Sequence, residues 1–264
     1  MKLLLSLNYK FFDISSKELI DKLLKHENKN YISGFEVCID FDNEYEVNYL
    51  KELTYLCKEN DFILQLHGDS SYYLDKQFKY LDYVNELSKI MDKDIDIVFH
   101  PLSCDTIDES IKDTDIYFSK MLNYVYVNGY NINISIENLN SMVDCVRLSK
   151  DYLTSVLYNN MDLYFTYDVG HEIMEYGKLS DLDDVFIERL RNIHFHTFNN
   201  VIEHLPVDYH EYNKESWVKA LLYLKSLDFN GSLVLEYDFY TLGNSYDERF
   251  NNYLNFAKLI YNYF

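Results

Sequence analysis

Residues 192–198 read NIHFHTF. In a β-strand, residues two apart point to the same side, so His194 and His196 share one face while Ile193 and Phe195 share the other. A lone histidine in an apolar run is ordinarily a satisfied core residue. Two on one face raise the question of what the rest of the chain brings to that face.

Seven other short runs share this character: KLLLSLN (2–8), GFEVCID (34–40), FILQLHG (62–68), IDIVFHP (95–101), INISIEN (132–138), DLYFTYD (162–168) and SLVLEYD (232–238). They are rich in β-branched and aromatic residues and recur about every 30 residues. Between them lie segments with helical apolar spacing, among them SSKELIDKLLKH, EVNYLKELTYLCKEN and SWVKALLYLKSLD. The first opens on SSKE, a capping-box pattern. Eight alternations of strand and helix predict a closed parallel (β/α)8 TIM barrel, one domain over residues 1–264. An open doubly wound sheet, the alternative, generally has fewer strands.

The bulk properties agree. A chain of 264 residues is the usual size for such a barrel, and 48% hydrophobic residues supply a core. The net charge of −20, from 24 basic and 44 acidic residues, opposes binding to nucleic acid or anionic lipid. The opening MKLLLSLNYKFF has too short an apolar run for a signal peptide and reads as a strand. No stretch approaches the roughly 20 apolar residues of a membrane span. Four widely spaced cysteines match no disulfide or zinc pattern, which points to a reducing, cytoplasmic setting.

The ends of the runs carry the chemistry. The third ends in His67, the fourth in His100, the fifth in Glu137 and the sixth in Asp168; the seventh carries His194 and His196, and the eighth ends in Glu236. In a (β/α)8 barrel these positions ring the carboxyl mouth, where such enzymes build their active sites. Each residue alone has a bland reading as a cap or a solvated charge, but six consecutive strands delivering His, His, Glu, Asp, His and Glu do not. Clustered carboxylates repel unless a cation neutralises them, and imidazole with carboxylate suits zinc, manganese, iron or cobalt. The expected cofactor is a divalent metal, one to three ions.

In order and spacing, VFHP (98–101), SIENLN (135–140), YDVGHE (167–172), HFHT (194–197) and LVLEY (233–237) resemble the xylose isomerase-like barrel superfamily, which includes sugar isomerases and epimerases and the endonuclease IV type of apurinic-site nuclease. Each motif is weak alone, and the ordered set spans essentially the whole chain. The resemblance implies a central metal held by Glu137, Asp168, His196 and Glu236, with His194 in support. It implies a further metal for His67 and His100 in the nuclease branch. His171 would be a third-metal ligand in a nuclease or a substrate contact in an epimerase. After the seventh strand, Asp208 and His210 match the nuclease's Asp-x-His pair, whereas His204 in EHLPV matches the HLPLG of isomerase-like members; the first alignment is preferred. The arginine that ketose 3-epimerases carry after the strand-seven ligand falls on Asn200.

The loops separate the two chemistries. Residues 67–75, 101–111, 138–146, 169–177, 197–213 and 237–248 contain no lysine or arginine, and all four arginines fall outside them. A nuclease needs such donors for phosphates. The preferred reading is therefore a metal-dependent isomerase or epimerase of a small sugar or polyol, with Glu137 and Glu236 exchanging protons through an enediolate and His171 orienting a substrate oxygen. The alternatives are zinc-dependent phosphodiester hydrolysis, dehydration of a cyclic polyol, and a barrel that only binds.

Overall fold

The computed structural model describes residues 1–8, 13–68, 73–140, 146–199, 202–207 and 214–263, with side chains described from 217 in the last segment. Asp208 and His210 lie outside these residues, so the Asp-x-His alignment has no place in the structural account.

Eight strands close into one parallel barrel in sequence order: β1 Lys2–Leu7, β2 Gly34–Cys38, β3 Ile63–His67, β4 Ile95–Phe99, β5 Ile132–Glu137, β6 Tyr164–Asp168, β7 Leu190–Phe195 and β8 Ser232–Leu235, with β8 pairing back onto β1. The connecting helices are α1 Ser16–Lys25, α2 Glu44–Glu59, α3 Leu74–Met91, α4 Ile107–Asn128 and α5 Lys150–Asn159. Two helices, α6 Val169–Tyr176 and α7 Asp184–Arg189, lie between β6 and β7; α8 Lys214–Ser226 precedes β8 and α9 Tyr246–Tyr261 follows it. The SSKE pattern caps α1 as expected: Ser15 Oγ accepts from the Glu18 amide at 3.2 Å. No described helix is long and apolar enough to cross a membrane.

Strand parity divides the barrel into two environments. Leu3, Leu5 and Leu7, Phe35 and Val37, Ile134 and Ile136, Ile193 and Phe195, and Leu233 and Leu235 belong to one continuous core with the helices. The residues between them do not join that core, even where apolar and buried, as Leu4, Val98 and Val234 are. They face the barrel axis, and most are polar. Ser6, Glu36, Gln65, Ser135, Thr166, Asn192 and His194 are all buried there. Buried polar groups seek partners, and part of this set meets its own: Asn192 Nδ2 donates to Ser135 Oγ at 3.3 Å and to Thr166 Oγ1 at 3.4 Å, while Gln65 Nε2 donates to Glu36 Oε2 at 2.6 Å. The outer layer supplies the stability, at roughly 1.5–3 kcal/mol per buried aliphatic side chain. The axis is thereby left free to hold chemistry.

Candidate active site

His67, Glu137 and Asp168 are the last residues of β3, β5 and β6; His100, His196 and Glu236 stand one residue beyond β4, β7 and β8. His194 lies within β7, in register with Asp168 on β6 and Val234 on β8. Every predicted residue within the described set therefore reaches one mouth. Above it opens a cavity of 610 Å³ lined by His67, His100, His171, His204 and Glu236. Glu137, Asp168, His194 and His196 are buried beneath its wall.

Glu137 is the hub. Its Oε2 lies 3.3 Å from His67 Nε2, 3.5 Å from His100 Nε2 and 3.2 Å from His194 Nδ1, and its Oε1 lies 3.4 Å from His171 Nδ1. His194 Nδ1 is also 3.3 Å from Glu236 Oε2. Donor atoms of Glu137, Asp168, His194 and Glu236 all fall within 4.8 Å of one another. The histidine in that quartet is His194; His196 stands beside it, its Nε2 3.2 Å from Asp168 Oδ1, in a second group with His171 and His204. A third group joins His67, Glu137 and His194.

Outer partners fix the ring orientations. His194 Nε2 sits 3.0 Å from Glu36 Oε2, which can only accept when ionised, so His194 donates there. Its Nδ1 lone pair is then aimed at the Glu137 and Glu236 carboxylates. His67 donates through Nδ1 to the Gly68 carbonyl at 3.2 Å, aiming a bare Nε2 at Glu137. His171 donates through Nδ1 to the Asn138 carbonyl at 3.1 Å, and Asn138 in turn exchanges hydrogen bonds with the Asp168 backbone at 2.8 and 3.0 Å. His196 Nδ1 lies between the Thr197 carbonyl at 3.1 Å and the His204 amide at 3.3 Å, so its tautomer follows what its Nε2 meets. Imidazoles committed outward with acceptors left facing acceptors inward are the arrangement that metal ligands adopt. Glu137 Oε1, Asp168 Oδ2, His194 Nδ1, His196 Nε2 and Glu236 Oε2 are all buried without a hydrogen bond among the described residues. These donors fit a divalent cation.

Without a cation, protons must do its work. Burial opposes charge on Glu137, but the fields of His194 and His100 prevail and hold its carboxyl well below the usual range. Burial likewise opposes charge on Glu236, yet His204 and His194 lower it. On His67, burial is outweighed by Glu137, and the imidazole is raised to about 9; on His171, Asp168 and Glu137 outweigh burial and raise it to about 10. His194 is raised well above its ordinary value because Glu36, Glu137 and Glu236 overcome its burial. His204 goes the other way, lowered by burial.

Three contributors escaped the sequence reading. Glu36, in the middle of β2, gave no signal because the run around it is apolar. Asn138 looked like loop. Arg147 falls one residue past the stretch 138–146 taken as the loop after the fifth strand. In the structure α5 begins only at Lys150, and Arg147 lines the cavity. The census of a mouth without cations is corrected accordingly. His204, the less favoured alternative, is held at φ +57° immediately before Leu205 of the Thr197–Leu205 bridge and packs its ring 4.3 Å from that of His196.

A small residue matters beneath His196. A Cβ added at Gly170 would lie 2.2 Å from His196 Cε1 and 2.4 Å from Nε2. Gly170→Ala is expected to push the ring off Asp168 and to weaken metal affinity by about 10- to 100-fold, the usual penalty for disturbing a ligand's support. Calorimetric metal titration of the folded variant checks this, and unchanged affinity would remove His196 from the metal's surroundings.

No protein-family model matches the chain, and no curated protein matches it in sequence. Solved structures do match its fold. A D-tagatose 3-epimerase-like protein superposes with a TM-score of 0.68 at 15% identity, covering 100% of this chain and 97% of that one. D-psicose 3-epimerase from Clostridium cellulolyticum H10, solved with D-tagatose, gives 0.69 at 13% identity and 98% coverage of both chains. A 3-keto-D-glucoside 4-epimerase from E. coli gives 0.64 at 13%, covering 98% of this chain and 99% of that one. The fold is that of the xylose isomerase-like TIM barrels.

Proposed function

We propose that this barrel is a divalent-metal-dependent isomerase or epimerase of a small sugar-like substrate. The observation that carries the reading is the convergence of unpartnered carboxylate and imidazole atoms on one point beneath the cavity. Glu137, Asp168, His194 and Glu236 would hold the ion, with His67, His100, His171 and His196 around it. Bound there, a divalent ion supplies Lewis-acid polarisation of neighbouring substrate oxygens.

The chain's own groups do the rest. Glu236 is the member of the quartet that lines the cavity, so it is placed to take a proton from a carbon next to a carbonyl. Glu137 lies at the floor, on β5, three strand steps round the ring from β8. It addresses the substrate from another side and, when it carries a proton of its own, delivers that one there, while the proton taken by Glu236 is later lost to solvent. His171 lines the wall with Nδ1 tied to Asn138, so its Nε2 is free to orient a substrate oxygen. That sugar epimerases are among the structural neighbours supports the same class of reaction.

Hydrolysis of a phosphodiester is the second reading. The two further donor groups, His67–Glu137–His194 and His171–His196–His204, favour it because each offers three atoms to an added ion. One pair of assays separates the two. The metal-loaded protein is expected to exchange substrate C–H protons with deuterated solvent in a screen of ketoses and their acidic or phosphorylated derivatives. It is expected to leave duplex DNA with an abasic site uncut and unbound at about 0.15 M salt, where a net charge of −20 still repels the backbone. Efficient incision would overturn the ranking.

A further inference from the structure

We infer that the substrate carries an anionic group, a carboxylate or a phosphate, and that Arg147 receives it. The inference rests on the proposed isomerase or epimerase reading and names its substrate class.

Arg147 occupies the segment between β5 and α5, half-buried, on the wall of the cavity that contains His100, His171 and Glu236. It is the one lysine or arginine among the described residues that line this space. The other arginines are engaged. Arg191 pairs with Asp96 at 2.9 Å, Arg249 donates to the Gly243 carbonyl at 2.8 Å and lies 4.5 Å over the Tyr240 ring, and Arg189 reaches Met161 Sδ at 3.4 Å. Arg147 makes no hydrogen bond or ion pair among the described residues.

The layout of charge gives the isolation a purpose. The acidic lining residues are Glu203, beyond β7, and Glu236 and Asp238, beyond β8. Arg147 follows β5, two to three strand steps away in the ring. The cavity therefore has an acidic arc and a basic point. A neutral sugar would offer the half-buried guanidinium no opposite charge, whereas an oxyanion would pair with it. A guanidinium matches the planar fork of a carboxylate and the oxygens of a phosphate equally well, so both carry the same recognition chemistry. At 610 Å³ the space has room for a hexose-sized ligand that reaches from the carboxylate floor to Arg147. Such a bridge would fix which carbon faces Glu236.

The test uses three unreactive ligands on the metal-loaded protein: glucitol, gluconate and glucitol 6-phosphate. Because none has the carbonyl the reaction needs, calorimetry reads binding without turnover. One charged ligand is expected to bind about 10- to 100-fold more tightly than glucitol, the range for a charge-assisted contact. Arg147→Met should erase that advantage and Arg147→Lys should keep part of it, with melting temperatures unchanged. Preference for gluconate identifies a sugar acid, and preference for glucitol 6-phosphate a sugar phosphate. Equal binding of all three, binding of none, or an advantage that survives in Arg147→Met would overturn the inference. The parent reading fails separately, if the tight-binding class holds to Arg147 yet no carbonyl member of it exchanges protons with solvent.

Discussion

Glu236→Gln is expected to lower turnover by about 10³-fold or more while leaving the fold intact. The size follows from two losses at one atom. An amide oxygen cannot accept the substrate proton, and general acid–base groups contribute about 10²- to 10⁴-fold. The same change removes one negative charge from the quartet that includes Glu137, Asp168 and His194, so metal affinity falls as well. Stability should hold because Glu236 lies beyond the end of β8 and keeps its backbone bond to the Phe195 carbonyl at 3.2 Å whatever the side chain. The measurement is kcat at saturating metal, beside elemental analysis and a thermal melt. Saturating the ion separates the two losses: a variant that regains full kcat with excess metal would make Glu236 a ligand only, and one that never loses activity would take it out of the chemistry.

Strand positions were legible because the pattern that encodes them is strong. Each apolar run from KLLLSLN to SLVLEYD contains or overlaps its strand, and the offset at each end is at most three residues, as for β7, which begins at Leu190 rather than Asn192 and ends at Phe195 rather than Phe198. The parity of NIHFHTF carried through, with Ile193 and Phe195 in the outer core and the imidazoles toward the axis. Less legible was what depends on side-chain depth. His194 and His196 are indistinguishable by parity. The three-dimensional difference is that Glu36 stands behind His194 and turns its Nδ1 inward. Glu36 was itself invisible, because a carboxylate inside an apolar strand means something only when Gln65 and His194 are seen beside it. Arg147 was missed for a different reason: the loop after β5 was ended at residue 146, whereas α5 starts only at Lys150, and where a loop ends depends on capping and loop geometry that sequence spacing does not encode.

Metal uptake by the stripped protein is expected to expel protons, and the stabilisation it brings should grow with pH. Without an ion, the site balances its carboxylates by protonating imidazoles. Burial works against this, but Glu137 holds the His67 imidazole at about 9 and Asp168 with Glu137 hold His171 at about 10. Both values lie above the ordinary 6.5, so the stability these protons give is complete below pH 6.5 and is lost as pH rises through about 9 to 10. An ion replaces those protons with a charge that does not titrate away. Metal-free protein should therefore soften between pH 6.5 and 9 while loaded protein does not, and affinity should climb over the same window because fewer protons remain to be displaced. At an ion concentration about 1,000 times Kd the linkage is worth about 4 kcal/mol, which for a chain of this size raises the melting temperature by roughly 10 °C. Melts with and without chelator at pH 6 and pH 8.5 read the effect. Titration in two buffers of different ionisation heat counts the protons, and elemental analysis counts the ions. A ratio near one places the ion in the Glu137–Asp168–His194–Glu236 quartet, as an isomerase requires; a ratio near three fills the two neighbouring groups as well and favours hydrolysis. Uptake without proton release, or a melting difference that shrinks as pH rises, would mean that the buried histidines are neutral before the ion arrives and that the carboxylates are balanced by something else.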